Sequence, residues 1–361
     1  MDGRRRVITD YVWPPMIRRH EGPPLVYLDL NQWVYLAQAA SGHPHGAQQR
    51  PVLDDMRRLV AAGSLAVAIS ATTYMEMSAI NDPRQRRDLA GVTEELTGFN
   101  TLLSAHLIVR FEVEALLDER VGRRTTPYAE LELVGTGVGH ALGIVGQLRI
   151  RDHAGDTTEK LRAQWTDGPD AFDEMLARLQ LESERRLLRG PTDHEEPLLR
   201  DDGWNPEAVR AIAEKRAAEE AEQAARLRGN DQWRRGRIRD VVAVRYLAIE
   251  ALDYLNEGLA ARPGGLADPF SDRDTVRTFV DAMPAGDARV SLLTARHRNT
   301  ESSWTANDIY DLGAMSVAAA YGDVIVCEKH TAHLLRQEGI ADRLGTSVLT
   351  GRELGGWLDQ Q

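Results

Sequence analysis

The chain has 361 residues, of which 42% are hydrophobic and 27% charged, the make-up of a globular protein with a real core, either two domains or one domain carrying a large insertion. A formal net charge of −11 argues against indiscriminate adhesion to nucleic acid, although a local basic patch or bound cations can still receive a polyanion. One cysteine, Cys327, excludes an intramolecular disulfide and thiolate zinc sites, and no apolar run reaches transmembrane length. Arg4 to Arg6 are followed by no apolar stretch of the secretory kind, so a cytoplasmic protein without membrane contact is expected.

The segment from Met1 to Pro23 reads as an N-terminal arm. From residue 24 to 111 the pattern is strand, helix, strand, helix. Pro24 to Leu30 is a short apolar run, followed by a helical stretch from Gln32 to Ala40 and a polar loop from Ser41 to His45. Val52 to Ala62 has helical periodicity and stops at Gly63, while Leu65 to Ser70 reads as a second buried strand before a helix opening at Thr73. Residues 112 to 284 form a charged, mostly helical insertion. Its breaks fall at Gly135–Gly143, Gly190–Pro197 and Pro263–Gly265, and Pro206 to Leu227 is expected to be a solvated helix. From 285 to 361 the α/β texture returns: helix from Thr305 to Tyr321, strand from Asp323 to Glu328, helix from Thr331 to Gln337, strand from Thr346 to Thr350, and a terminal helix. The fold class expected is α/β, one parallel sheet interrupted by the helical insertion.

In an open parallel sheet, ligands bind beyond the carboxyl ends of the strands, and acidic residues fall at those places. Asp29 follows the first strand and has no evident local purpose. Glu76 opens the helix after the second strand, Asp308 and Asp311 begin the helix before the third, and Glu328 ends that third strand. Buried carboxylates at a strand mouth are costly unless neutralised, and hard oxygen ligands suit Mg²⁺ or Mn²⁺. Such ions activate water for attack on a phosphoryl group. Plainer readings exist: Glu76 has capping-box spacing from Thr73, and Asp308 from Thr305.

Tyr27-Leu-Asp-Leu-Asn31, the glutamate of Thr72-Thr-Tyr-Met-Glu76, and Asn307-Asp-Ile-Tyr-Asp311 followed by Ala318 to Glu328 resemble the ordered acidic motifs of PIN-like domains. The resemblance spans some 150 residues on either side of the insertion. It implies a parallel-sheet sandwich that hydrolyses RNA with one or two Mg²⁺ or Mn²⁺ ions, a metal-dependent endoribonuclease with room for a toxin or phage-defence role. Carried over by position, the catalytic and metal residues are Asp29, Glu76, Asp311 and Glu328, with Asp308 competing for the third place. Asn31 and Asn307 are expected to support them.

Between Arg226 and Arg239 lie six arginines around Trp233. That pattern suits single-stranded nucleic acid, and Arg234, Arg235, Arg237 and Arg239 are the expected contacts. Arg296, His297 and Arg298 precede the Asp308/Asp311 helix, where they would grip a phosphate, with His297 a candidate proton carrier. The insertion would select single-stranded RNA or receive a regulatory protein. Two alternatives stay open: a non-catalytic PIN-like scaffold that binds RNA or protein through its insertion, and a metal-dependent phosphatase. The phosphatase class needs a second Asp two residues after the first, where this chain has Asn31.

Overall fold

The computed structural model describes residues 11–361 apart from 126–127, 145–147, 193, 202–204, 235, 263–269, 271 and 300–302. The main sheet is parallel, built from β1 (Leu25–Leu28), β2 (Ala66–Ala68), β4 (Val324–Cys327) and β5 (Ser347–Thr350) in the order β5-β4-β1-β2. A parallel bridge from Ile69 to Thr101 extends it to β3 (Asn100–Leu102). Strands from either side of the insertion thus pair directly, β1 with β4, Val26 opposite Val324 and Leu28 opposite Val326.

Alternation along these strands creates two cores, because successive side chains leave a strand on opposite faces. Leu25, Tyr27, Ile325 and Cys327 join one apolar cluster with helices α3 (Ala105–Val121), α5 (Pro284–Arg298) and α6 (Ala306–Tyr321). Val26, Leu28, Val324 and Val326 join the other with α1 (Leu30–Ala40) and the helices Arg50–Ala61 and Pro83–Thr97. Cys327 is a free, buried thiol within the first cluster. The Arg50–Ala61 helix ends as expected at Gly63, whose φ of +67° is the left-handed conformation that glycine adopts without steric cost.

Several sequence expectations need correction. The N-terminal segment is more than an arm: Met16 and Ile17 are buried, and Ile17–Arg18 pairs in parallel with Leu131–Glu132. The Gly135–Gly143 break contains a strand, Val134–Thr136, antiparallel to β3, and a short helix, Gly137–Ala141. Pro263–Gly265 lies outside the described residues. The helix expected to be solvated, Pro206–Arg228 (here α4), instead lies along α6 and buries Ala213, Ala217, Glu220, Gln223 and Leu227. Small Ala side chains permit that approach, which an average hydropathy over the segment hides.

The insertion is stitched to the sheet by a buried acid. Glu112 is fully buried and accepts hydrogen bonds from Ala285 N (2.7 Å), Gly286 N (3.2 Å) and Tyr321 Oη (2.9 Å). The first amides of α5 would otherwise lack partners, so the carboxylate joins α3, α5 and α6 at one point. Among the described residues no helix is long and apolar enough to cross a membrane.

Candidate active site

The acids identified in sequence gather beyond the carboxyl ends of β1, β2 and β4. Asp29 leaves β1 and caps α1, its Oδ1 accepting from Gln32 N at 3.0 Å. Its Oδ2 accepts from Glu328 N at 2.8 Å, tying the ends of two neighbouring strands. Asp29 therefore has a local purpose after all, as an N-cap and a cross-strand tie. Glu328 itself begins α7 (Lys329–Gln337), and its Oε1 accepts from Asn31 Nδ2 at 2.6 Å. Asn31 thus orients Glu328 rather than Asp29.

Glu76 lies inside helix α2 (Ala71–Ser78), whose capping box is formed by Ser70 and Thr73. The helix begins two residues earlier than expected, so Glu76 sits in its second turn and has no capping role. Asp311 occupies the equivalent sixth position of α6. Asp308 completes the capping box there with the N-cap Thr305: its Oδ2 accepts from Thr305 N at 2.7 Å and from Arg296 Nη2 at 2.6 Å. Asp308 is thus engaged in a cap and an ion pair, whereas Asp311 lies one turn further into α6. Asn307 is exposed on the same turn.

The electrostatics show that these carboxylates share one environment. Burial raises Glu76 to about 8, reinforced by the charges of Asp311 and Asp29. Asp311 is raised to about 7 by burial and then by Asp29, Asp308 and Glu328, against the opposing pull of Arg296. Burial also lifts Asp29 to about 6, with its two backbone donors opposing and the Glu328 charge adding to the rise. Burial is the largest cause in each case, and acids from other segments add to it, as expected where carboxylates crowd together with little positive charge between them.

As the side chains stand, no three His, Cys, Asp or Glu groups among the described residues are close enough to hold an ion. Asp29, Glu328 and Asp308 are turned to the donors named above. The donor set suits a divalent ion by its chemistry: hard oxygens, mutually destabilised in the absence of a cation. Glu76 and Asp311 supply the sharpest instance.

Most of the expected basic contacts are spent elsewhere. Arg239 reaches inward to Asp281, Asp287 (2.5 Å) and Ser291 (2.8 Å). Arg296 is held between Asp308 and Ser303 O and lies over the Trp304 ring at 5.0 Å. His297 is neither a loop residue nor at the acids. It is buried in the last turn of α5, with Nε2 2.9 Å from Glu220 Oε2. Arg298 pairs with Glu338 at 2.6 Å. In all four cases the partner is an acid on another helix or at its cap, met once the helices pack. Arg234, Arg237 and Trp233 are exposed, whereas Arg235 lies outside the described residues.

Beside Glu76 the structure opens a cleft of about 670 Å³, lined by Leu30, Met75, Arg210, Glu214, Trp304 and Tyr310 among others. Its far wall is α4. Sequence reasoning missed this wall, since only packing brings residues 210–218 beside Glu76. Tyr310 was detectable, standing between Asp308 and Asp311 in the motif. No protein-family model, curated protein or solved structure matches the chain.

Proposed function

We propose that the chain is a PIN-like, metal-dependent endoribonuclease that hydrolyses phosphodiesters of single-stranded RNA at the Asp29–Glu76–Asp311–Glu328 rim. One observation carries the reading: acids from four separate segments meet beyond the carboxyl ends of a parallel sheet, where burial and then neighbouring acids raise the pKa values of Asp29, Glu76 and Asp311, with Arg296 opposing at Asp311. Bound among them, Mg²⁺ or Mn²⁺ would supply the missing charge, polarise a phosphoryl oxygen and activate water. The chain's own contribution is positional. Two backbone amides fix Asp29, Asn31 fixes Glu328, and two helices present Glu76 and Asp311 from their sixth positions. The order of the acidic motifs along the sequence supports the same class.

A non-catalytic scaffold is the second reading, favoured by the finding that among the described residues no three such side chains stand where they could hold an ion. Incubating the protein with labelled single-stranded RNA or DNA in Mn²⁺, Mg²⁺ or EDTA separates the two. The nuclease reading expects cleavage of RNA in either metal, none in EDTA, and losses of at least about a hundredfold in Asp29→Asn and Asp311→Asn, within the range for removing a catalytic group. Cleavage that persists in chelator or in both variants would overturn it. Metal-independent RNA binding without cleavage would leave the scaffold.

A further inference from the structure

The nuclease reading places a scissile phosphate at Glu76 and Asp311, and the inference that follows rests on that reading. We propose that the cleft between α2, the start of α6 and the inserted helix α4 holds an unstacked nucleotide adjoining that phosphate. On this view α4 is the specificity wall of the site.

The position comes first. Glu76 lines both the acidic rim and the cleft, so a nucleoside attached to a phosphate at the rim has this cavity within reach. The cleft's volume of about 670 Å³ falls in the range of small-molecule sites and suits one nucleotide with room for its neighbour. Its lining matches a base chemically. Leu30, Met75, Ile80 and Ala217 offer apolar surface, and Tyr310 brings an aromatic ring. Ser78, Asn307 and Glu214 stand ready to read polar edges. A π-face flanked by a few hydrogen-bonding groups is how unpaired bases are held.

The rim adds a cation. Arg210 Nε lies 2.8 Å from Glu214 Oε1, and both side chains are more than half exposed. Such a surface pair is worth little, so the guanidinium can exchange Glu214 for a backbone phosphate at small cost.

The wall is also fixed in place. Glu220, two residues beyond Ala218 on the same helix, is buried and takes Arg216 (2.9 Å), Arg245 (3.1 Å) and His297 (2.9 Å). These partners anchor α4 to α5 and to the helix Ile238–Tyr246. A wall pinned by a buried ion cluster keeps the cleft open before ligand arrives and reduces the ordering cost of binding. A base paired in a duplex would have to leave its stack to enter, which sets single strands above double strands.

The test measures fluorescence anisotropy of short labelled single-stranded RNA, single-stranded DNA and duplex RNA, in an Asp29→Asn background so that the probes stay intact. Tyr310→Ala should weaken single-strand binding about five- to a hundredfold, the loss expected for one base-stacking contact. Ala218→Trp, at an exposed position of α4, should fill the cleft and weaken binding comparably. Tyr310→Phe keeps the ring and should stay within about threefold of the parent. Circular dichroism and melting curves establish that the variants are folded. Parental affinity in both Tyr310→Ala and Ala218→Trp, or duplex binding as tight as single-strand binding, overturns the proposal. The nuclease reading is judged separately, by whether the wild-type protein with Mn²⁺ hydrolyses bis(4-nitrophenyl) phosphate, a diester too small to need the cleft.

Discussion

Replacing Asp311 by Asn should stabilise the metal-free protein by an amount that grows as pH rises from about 4 to about 7. Burial and the neighbouring acids raise Asp311 from 3.8 to about 7. Between those values the folded protein keeps a proton that the unfolded chain has released, so stability falls as pH rises through the window. Above about pH 7 the ionised group carries its full cost. The interval corresponds to about 4 kcal/mol, at 1.36 kcal/mol for each tenfold step. Partial access to water discounts this to about 2–4 kcal/mol for the single site. The difference in stability between Asp311→Asn and wild type should therefore grow from near zero at pH 4 to about 2–4 kcal/mol at pH 8, a gain of several degrees in melting temperature. Urea or thermal unfolding across that range in EDTA supplies the measurement. Adding Mn²⁺ at pH 8 should raise wild-type stability by about 2.7 kcal/mol at a hundred times its dissociation constant, and the variant's by much less. A variant less stable than wild type at pH 8, or a difference that does not change with pH, would refute the account of Asp311 as an uncompensated buried charge.

Further expectations concern neighbouring residues. Glu76→Gln should behave like Asp311→Asn in direction, with its pH window reaching about 8; comparative melts at pH 5 and pH 9 test this. Glu220→Gln should cost about 1–3 kcal/mol, since it leaves the part-buried Arg216 and Arg245 with weakened partners. Glu220 is held down to about 2, chiefly by its His297 hydrogen bond and the two arginines acting against burial. Its stabilisation is thus present above the ordinary carboxylate range and lost as pH falls towards 2, and denaturant titrations at pH 7 and pH 3 should show the contrast. Asp308→Ala should cost about 1–2 kcal/mol through its lost cap, with a smaller effect on RNA cleavage than Asp311→Asn in parallel rate assays. Asn31→Ala should lower the apparent affinity for Mn²⁺ by about ten- to a hundredfold, the usual effect of freeing a ligand from its supporting hydrogen bond, as read by calorimetry.

Local pattern carried much of the fold. Short apolar runs bounded by Pro, Gly or Asn marked the strands of the main sheet, most clearly β1 and β4, which are buried along their whole length and so leave a continuous hydrophobic signature. The same pattern drew attention to Asp29 and Glu328, acids at the ends of such runs, whereas Glu76 and Asp311 lie within helices and were singled out by the resemblance of their ordered motifs to those of PIN-like domains. What composition could not reveal was which charges would cancel. Arg239, Arg296, His297 and Arg298 look available in sequence, yet Asp287, Asp308, Glu220 and Glu338 meet them only after helices far apart in the chain have packed. Helix α4 shows the same effect, polar on average but buried along one alanine-rich edge against α6. Strand identity and the acids at strand ends are properties of a few consecutive residues. Charge pairing and the wall of the cleft depend on distances between segments, and those exist only in the folded chain.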